Sequence, residues 1–224
     1  MELIGHRGAP REFRENTIPA FRRAFERGAD AVELDVHATS DGEVVVHHDP
    51  TISRDASSYA GAAIAELASA QLRAVRLEGG LGIPTLAEVL EIVPPGKRVY
   101  VEIKGAGIEE PVAAVIRRGN VDSAVHSFDH DAIVRMRRLA PEIPRGILYD
   151  RRGVDVEAAM ARTGARDVWP QWKLIDRETV ELVHARGGRV CAWTVNGRVA
   201  EIGIDAVCTD DVRLFRDLAQ GPGA

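Results

Sequence analysis

The chain has 224 residues, of which 45% are hydrophobic and 28% are charged, and its formal net charge is −5. This length suits one α/β domain or barrel better than two domains, and the composition is ordinary for a globular protein. A protein that binds along a phosphate backbone is normally basic, so the negative charge argues against nucleic acid as a partner.

Apolar runs of strand length alternate with stretches of helical period along the whole chain. Eight runs are predicted to be strands, at residues 2–5, 31–36, 98–104, 123–128, 144–150, 166–171, 189–195 and 205–210. Each is followed by a predicted helix, at residues 16–28, 85–93, 109–119, 129–140, 155–164, 176–188, 197–204 and 212–219. One further strand, at residues 42–49, is joined to the second strand by the turn "SDG".

The order of these elements predicts the fold class. Alternation of strands and helices implies a parallel sheet, and eight such repeats in a chain of this length imply a closed (β/α)8 TIM barrel. An open doubly wound sheet is the alternative, but it would usually carry a glycine-rich phosphate loop after the first strand. The sequence there is "GHRGAP", which does not match the G-x-G-x-x-G pattern. We therefore expect a single barrel domain over residues 1–224.

One segment interrupts this alternation. Residues 50–83 lie between the additional strand and the helix at Thr85, are rich in small residues, and contain one weak helix predicted near 64–74. We interpret the segment as a small insertion after the second strand at the mouth of the barrel, where it would form a lid or a substrate wall. The alternative is a loosely ordered excursion on the surface.

The apolar runs and the cysteines indicate the compartment. No run is long enough to cross a membrane, and "MELIGHRG" lacks the basic and apolar segments of a signal peptide. Cys191 and Cys208 lie in apolar strand-like runs without the spacing of a zinc site, which predicts two reduced, buried thiols. We therefore expect a cytoplasmic protein with no integral membrane segment.

Two acidic side chains are predicted to point to the same side of the second strand. Glu33 and Asp35 are two residues apart in "AVELDV", so they share a face and lie about 7 Å apart along the strand. Two buried carboxylates repel each other unless a cation neutralises them, and oxygen ligands favour Mg²⁺ or Ca²⁺. Glu102, in the apolar run "VYVEIK", is a third carboxylate for such a site. Salt bridges to the arginines of the chain are the alternative.

Two basic side chains stand at predicted strand ends, where a barrel of this kind has its active site. Arg7 follows the first strand, and Lys104 ends the strand that carries Glu102. Lys104 either pairs with Glu102 or faces an anion bound beside the metal. Together with a metal and Arg7, it would neutralise the charge on the oxygens of a phosphoryl group.

Histidines also stand at these strand ends. His6 ends the first strand, and His47 and His48 end the additional strand. Histidines at the ends of neighbouring strands, beside three carboxylates, suit a general acid and a general base. Alternation does not choose between His47 and His48, because the preceding "VVV" is apolar on both faces. His126, at the end of the fourth barrel strand, is a further candidate.

Taken together, these motifs resemble the glycerophosphodiester phosphodiesterase family. The similar elements are "GHRG", "ENTIPAFRRAFERGADAVELDVHATSDGEVVVHHDPTISR", "IPTLAEVL", "VEIK", "HSFD", "AWTVN" and "IDAVCTDDV", in the family's order over nearly the whole chain. The block over residues 5–54 is the most specific of them. The resemblance implies a barrel with a small insertion, and a metal-dependent enzyme that hydrolyses glycerophosphodiesters to glycerol phosphate and an alcohol such as choline or ethanolamine.

The resemblance also implies roles for individual residues. The acid–base pair would be His6 and His48, because the family's second histidine directly precedes an aspartate, as in "HHD". The metal ligands would be Glu33, Asp35 and Glu102. The substrate contacts would be Arg7 and Lys104 at the phosphate, Glu15 and Asn16 supporting the metal and phosphate end, and Trp193 near the glycerol. The sequence departs from the family at "DASS" after "HDPTISR", on the side expected to contact the alcohol.

Two other activities fit parts of this pattern. A lyase of the sphingomyelinase D type would stop at a cyclic phosphate, but such enzymes usually act on membrane lipids outside cells, and no signal peptide is visible here. A non-catalytic phosphoester-binding barrel would tolerate loss of the acid–base histidines, and both are present. The sequence does not choose between Mg²⁺ and Ca²⁺, between water and the glycerol hydroxyl as nucleophile, or among oligomeric states.

Overall fold

The computed structural model of the protein describes residues 1–197 and 203–219. Its strands are β1 (Glu2–Gly5), β2 (Ala31–Ala38), β3 (Val44–Val46), β4 (Arg98–Ile103), β5 (Asp122–Ser127), β6 (Arg145–Tyr149), β7 (Asp167–Pro170), β8 (Arg189–Ala192) and β9 (Ala206–Thr209). Its α-helices are α1 (Ile18–Glu26), α2 (Ser69–Ala74), α3 (Leu86–Glu91), α4 (Glu109–Arg118), α5 (His130–Leu139), α6 (Val156–Thr163), α7 (Arg177–Ala185) and α8 (Val212–Ala219).

The sheet closes on itself. Strand β1 pairs in parallel with β2 on one side and with β9 on the other, and parallel pairing continues around the ring. Strand β3 pairs antiparallel with the end of β2 and lies outside the ring. The predicted (β/α)8 barrel with a small insertion after the second strand is confirmed. The helix predicted over 197–204 falls mainly on 198–202, which lie outside the described residues.

The interior of the barrel is packed with large side chains below its mouth. Tyr100 and Trp169 meet edge to face there, with ring centroids 4.9 Å apart. The Tyr100 hydroxyl donates a hydrogen bond of 2.9 Å to Glu2 Oε2 and accepts one of 3.1 Å from Arg189 Nη1. This network satisfies the polar tip of a buried aromatic ring and closes the N-terminal end of the barrel.

The cysteines are as the sequence predicts. Cys191 and Cys208 are both free and buried inside the barrel, as predicted. None of the helices in the described ranges is both long and apolar enough to cross a membrane.

The segment over residues 50–83 is packed rather than loosely ordered. It contains a 3-10 turn at Ile64–Glu66, helix α2 and a second 3-10 turn at Glu78–Gly80, so the helix predicted near 64–74 is present in two pieces. The segment has its own buried apolar cluster, which packs against Val45 of β3 and includes Ile52, Ile64, Leu67, Leu72 and Val75.

The glycines of "GHRG" allow the chain to turn tightly between β1 and α1. A Cβ atom at Gly5 would lie 2.5 Å from the Gly8 carbonyl oxygen. Gly8 has a φ of +91°, and a Cβ atom there would lie 2.6 Å from the backbone carbonyl carbon of Ala20 in α1. Glycine at both positions therefore lets the helix pack directly against the loop that carries His6 and Arg7.

We expect Gly8→Ala to destabilise the fold more than Gly42→Ala. The two glycines have φ values of +91° and +85°, so both substitutions incur the strain of the left-handed region, about 1–2 kcal/mol. Of the two, Gly8 alone has neighbouring atoms within 4 Å of the added methyl group, which should enlarge its loss by about 1–3 kcal/mol. Urea unfolding followed by circular dichroism measures both losses, and equal values would contradict the packing argument.

Candidate active site

A cavity of about 230 Å³ opens at the C-terminal ends of the barrel strands. It is lined by His6, Arg7, Glu33, His48, Glu102, Lys104, His126, Phe128, Leu148, Trp169, Trp193 and Cys208. Most of the predicted site residues are therefore brought together in one place. Three predicted residues lie outside this lining, and each of them contacts Arg7, which belongs to it: Glu15, Asn16 and Asp35.

The register of three neighbouring strands brings the polar side chains together. Asp35 of β2 lies opposite Glu102 of β4, and Glu102 lies opposite His126 of β5. Residues two apart on a strand share a face, so Glu33 points into the barrel with Asp35. All four side chains are buried. These three neighbouring strands therefore form a buried cluster of titratable side chains inside the barrel.

The loop after β1 holds two residues in the left-handed region, with a φ of 51° at Arg7 and 56° at Asn16. Such backbone is uncommon for residues other than glycine and clusters at functional sites. The Arg7 N–H donates to Glu33 Oε2 at 3.1 Å, and Asn16 Nδ2 donates to Asp35 Oδ2 at 2.8 Å. The strained loop therefore directs both residues at the β2 carboxylates.

Two cations face this carboxylate cluster. Arg7 Nε lies 3.1 Å from Asp35 Oδ2, and Arg7 Nη1 donates to Glu15 Oε1 at 3.0 Å. Lys104 Nζ donates to Glu102 Oε1 at 3.2 Å and lies 3.5 Å from Asp35 Oδ1. Both alternatives considered for Lys104 are compatible with its position, because it pairs with Glu102 and still lines the cavity.

Three side chains of the cluster could hold a metal ion. Glu33, Glu102 and His126 each present a ligand atom, and these atoms lie within 4.8 Å of one another. His126 Nε2 lies 3.7 Å from Glu33 Oε1 and Asp35 Oδ1 lies 3.5 Å from Lys104 Nζ, so these buried atoms have charged neighbours but no close hydrogen bond among the described residues. Carboxylate and imidazole donors suit divalent cations, so the residues present fit such an ion.

This cluster differs in one member from the ligand set that the resemblance implies. Both sets contain Glu33 and Glu102, but the cluster has His126 where the implied set has Asp35. In the structure Asp35 is engaged by Asn16 and the nearby cations. Spacing along β2 shows that Asp35 faces inward, but it does not show what the neighbouring strands supply.

Electrostatics explain why a cation would bind here. Burial and the neighbouring Asp35 and Glu33 carboxylates raise the pKa of Glu102 well above its usual value. Burial also acts to raise the pKa of Glu33, but His126 and the other nearby basic groups outweigh it and hold that pKa below its usual value. Glu102 is therefore pushed toward its neutral form, and a divalent cation would reverse this.

The two predicted acid–base histidines are each paired with an aspartate. His6 Nδ1 lies 2.7 Å from Asp210 Oδ1, and its Nε2 lies 4.0 Å from Glu33 Oε2. Burial acts to lower the pKa of His6, but the Asp210 hydrogen bond and the Glu33 charge outweigh it and raise that pKa. His48 Nδ1 lies 2.7 Å from Asp49 Oδ1, and the His48 side chain is 34% exposed.

The neighbouring His47 has a different environment. Its side chain is buried, its Nε2 lies 3.2 Å from the Thr51 carbonyl oxygen, and burial lowers its pKa. Of the two histidines that alternation left open, His48 lines the cavity. The catalytic role that the resemblance implies for His48 stays a prediction.

The side of the cavity formed by β5 to β8 is largely apolar. Trp193 meets Phe128 edge to face, with ring centroids 5.3 Å apart, and its Nε1 donates to the Trp169 carbonyl at 2.9 Å. Leu148 of β6 also lies on this side of the lining. Sequence analysis did not single out Phe128 or Leu148 as site residues. Phe128 directly follows the "HS" that ends β5, and this position at the end of a barrel strand could have indicated a site residue.

The described lining of the cavity contains no residue from 50–83. This segment contacts neighbours of the site, because Asp55 forms an ion pair with Arg14 of the loop between β1 and α1, and the Thr51 carbonyl lies 3.2 Å from His47 Nε2. The interpretation of 50–83 as a wall in contact with substrate is therefore not supported by the cavity itself.

Comparison with known proteins agrees with this site. The sequence model of the glycerophosphoryl diester phosphodiesterase family matches residues 6–214. A glycerophosphodiester phosphodiesterase from Caldanaerobacter subterraneus is 33% identical to this chain in an alignment of 242 positions. The alignment covers 99% of this chain and 98% of that protein.

Solved structures give the same result. A glycerophosphodiester phosphodiesterase from Thermotoga maritima has a TM-score of 0.81 and 29% identity, covering 96% of this chain and 97% of that one. A phosphodiesterase from Oleispira antarctica, in complex with the product sn-glycerol-3-phosphate, has a TM-score of 0.89 and 25% identity, covering 99% and 97%. The family match spans nearly the whole chain and includes the residues of the cavity. The chain therefore belongs to the glycerophosphoryl diester phosphodiesterase family and is an enzyme of that family.

Proposed function

We propose that this chain hydrolyses glycerophosphodiesters to glycerol phosphate and an alcohol, using a divalent cation and an acid–base pair of His6 and His48. The observation that carries the proposal is that both histidines, two buried glutamates and two cations line one small cavity. Attack, charge neutralisation and protonation of the leaving oxygen all occur around one phosphorus atom, so these groups are needed together. The glycerol phosphate bound to the Oleispira relative supports the same substrate class.

Glu33 and Glu102 would hold the cation, with His126 or Asp35 as a further ligand. We expect Mg²⁺ or Ca²⁺, because carboxylate oxygens dominate this donor set. When bound, the cation supplies positive charge that stabilises the phosphoryl oxygens in the transition state. Arg7 and Lys104, which line the same cavity, would bind the same phosphoryl oxygens.

The histidines would move the protons. We assign the base to His6, because it adjoins Arg7 and so lies near the phosphoryl group. It would take a proton from the attacking oxygen as that oxygen bonds to phosphorus. The attacking oxygen belongs either to water or to the glycerol hydroxyl, and in the second case a cyclic phosphate forms that water then opens to glycerol phosphate. The ester bond to the departing alcohol then breaks, and His48 would donate a proton to its oxygen. Asp210 contacts Nδ1 of His6 and Asp49 contacts Nδ1 of His48, so the proton would be exchanged at Nε2 of each ring.

Chelation should abolish turnover, and added Mg²⁺ or Ca²⁺ should restore it, because the phosphoryl oxygens would lose the positive charge that stabilises them in the transition state. Glu102→Gln should also lose Mg²⁺ binding in isothermal titration calorimetry. Glu109→Gln is the control, because Glu109 is buried but pairs with Arg135 outside the cavity. Full activity in verified metal-free protein would refute the metal dependence.

Arg7→Ala and Lys104→Ala should each lower kcat/KM by about 10²–10³-fold, because each removes a donor from the developing charge. Lys97→Ala is the matched control, since Lys97 precedes β4 at the opposite end of the barrel and pairs with Asp30. Steady-state kinetics on a glycerophosphodiester measure all three variants. A loss in Lys97→Ala as large as in Lys104→Ala would show that the effect is not local to the site.

Loss of either histidine should lower the rate on an alkyl diester by about 10²–10⁴-fold. An aryl alcohol such as nitrophenol leaves without needing a proton, so His48→Ala should recover much of its rate on an aryl diester while His6→Ala stays slow. His47→Ala, next to His48 but outside the cavity, is the control and should stay active on both. Rescue of His6→Ala instead would reverse the two roles, and rescue of neither would reject this division.

A further inference from the structure

A second, larger cavity adjoins the site and is not used by the chemistry above. It has a volume of about 600 Å³ and lies at the C-terminal ends of β5 and β6, against the loops that lead into α5 and α6. Phe128 and Leu148 line both this cavity and the central one. We call it the side groove. Because two residues are shared, the side groove is the immediate neighbour of the central cavity.

The central cavity is too small for a whole substrate with a sizeable alcohol. Its volume of about 230 Å³ is below the range of about 300–1,000 Å³ that is usual for drug-sized ligands. A phosphoryl group and one short arm would fill it. The second arm of a larger diester would therefore extend beyond this cavity, and the side groove is the neighbouring space that shares its lining.

Phe128 stands where the two cavities meet. Its side chain is 41% exposed, although its ring packs edge to face on Trp193. A substrate that spans both cavities would cover this ring and bury its apolar surface. The Phe128 ring would therefore be the apolar contact surface for a substrate at the junction of the two cavities.

The charges of the side groove indicate which alcohol it suits. Asp129 pairs with Arg135, and Asp131 pairs with Arg162. Asp150, directly after β6, has no hydrogen-bond or ion-pair partner among the described residues.

The next residue in the chain, Arg151, also lines the side groove. Arg151 is exposed and also has no such partner in the part of the chain that the structure describes. A carboxylate acceptor and a guanidinium donor are thus adjacent in the sequence and both line the side groove. Hydroxyl groups can donate to one and accept from the other. A quaternary ammonium group cannot donate a hydrogen bond, and the attraction of its charge to Asp150 would be offset by repulsion from the adjacent Arg151.

We propose, as an extension of the function proposed above, that the side groove binds the alcohol arm of the diester through Asp150 and Arg151. The favoured arm is an uncharged polyhydroxyl alcohol, such as inositol or glycerol, rather than a quaternary ammonium alcohol. The central cavity carries out the cleavage, and the side groove determines which alcohol is released most efficiently.

The test compares kcat/KM for glycerophosphoinositol and glycerophosphocholine in the wild type and in single variants. The wild type should prefer the inositol diester. Asp150→Ala and Arg151→Ala should each lower the inositol value by about tenfold, as loss of one hydrogen bond to a charged group would. Neither should lower the choline value. The control is Arg152→Ala, because Arg152 lies in the same loop but outside the described lining of the side groove.

Three outcomes would overturn the proposal. A wild-type preference for the choline diester would exclude the alcohol class. Unchanged inositol values in both variants, or equal losses on both diesters, would exclude the side groove as the binding place while leaving the hydrolysis itself established. A wild-type protein that cleaves neither diester under any metal would instead refute the proposed function on which this inference rests.

Discussion

The active site depends on one electrostatic constraint, which is the burial of Glu33, Asp35 and Glu102 together at the mouth of the barrel. Buried charges of one sign raise the free energy of the folded state unless opposite charges join them. Arg7 and Lys104 lie 3.1 and 3.5 Å from Asp35 oxygens, yet the pKa of Glu102 stays raised. The remaining excess of negative charge is what a divalent cation would neutralise. The same arrangement therefore limits stability in the free protein and creates the binding site.

The loop after β1 connects this constraint to the fold. A left-handed backbone at Arg7 places its N–H on Glu33 and its guanidinium beside Asp35. Gly8 then allows α1 to pack within a distance that no Cβ atom would permit. The "GHRG" stretch thus combines two features, since its glycines allow close packing and the two residues between them, His6 and Arg7, line the cavity. Backbone strain at this place is a property of the site rather than a defect of packing.

The mouth of the barrel is divided into two sides of different chemistry. Strands β1, β2 and β4 and the loops that follow them supply the charged groups, whereas the β5 to β8 side supplies Phe128, Trp169 and Trp193. A phosphodiester is divided in the same way, because its phosphoryl group is charged and its two arms contain carbon. The charged side of the cavity suits the phosphoryl group, and the aromatic side suits an arm. Aromatic side chains exclude water from one side of the reacting centre, and charges interact more strongly in such a medium. The side groove beyond Phe128 extends this arrangement to a polar arm of the substrate.

Local sequence patterns determined the barrel, because eight strand–helix repeats leave few ways to connect a parallel sheet. They also identified Glu33, Asp35 and Glu102, since each lies in an apolar strand where a charged residue is unusual. Only the tertiary structure showed that the register places His126 beside Glu102, and that His48 rather than His47 lines the cavity. It also revealed the side groove. Register and loop path join residues far apart in the chain, and no local periodicity encodes those contacts.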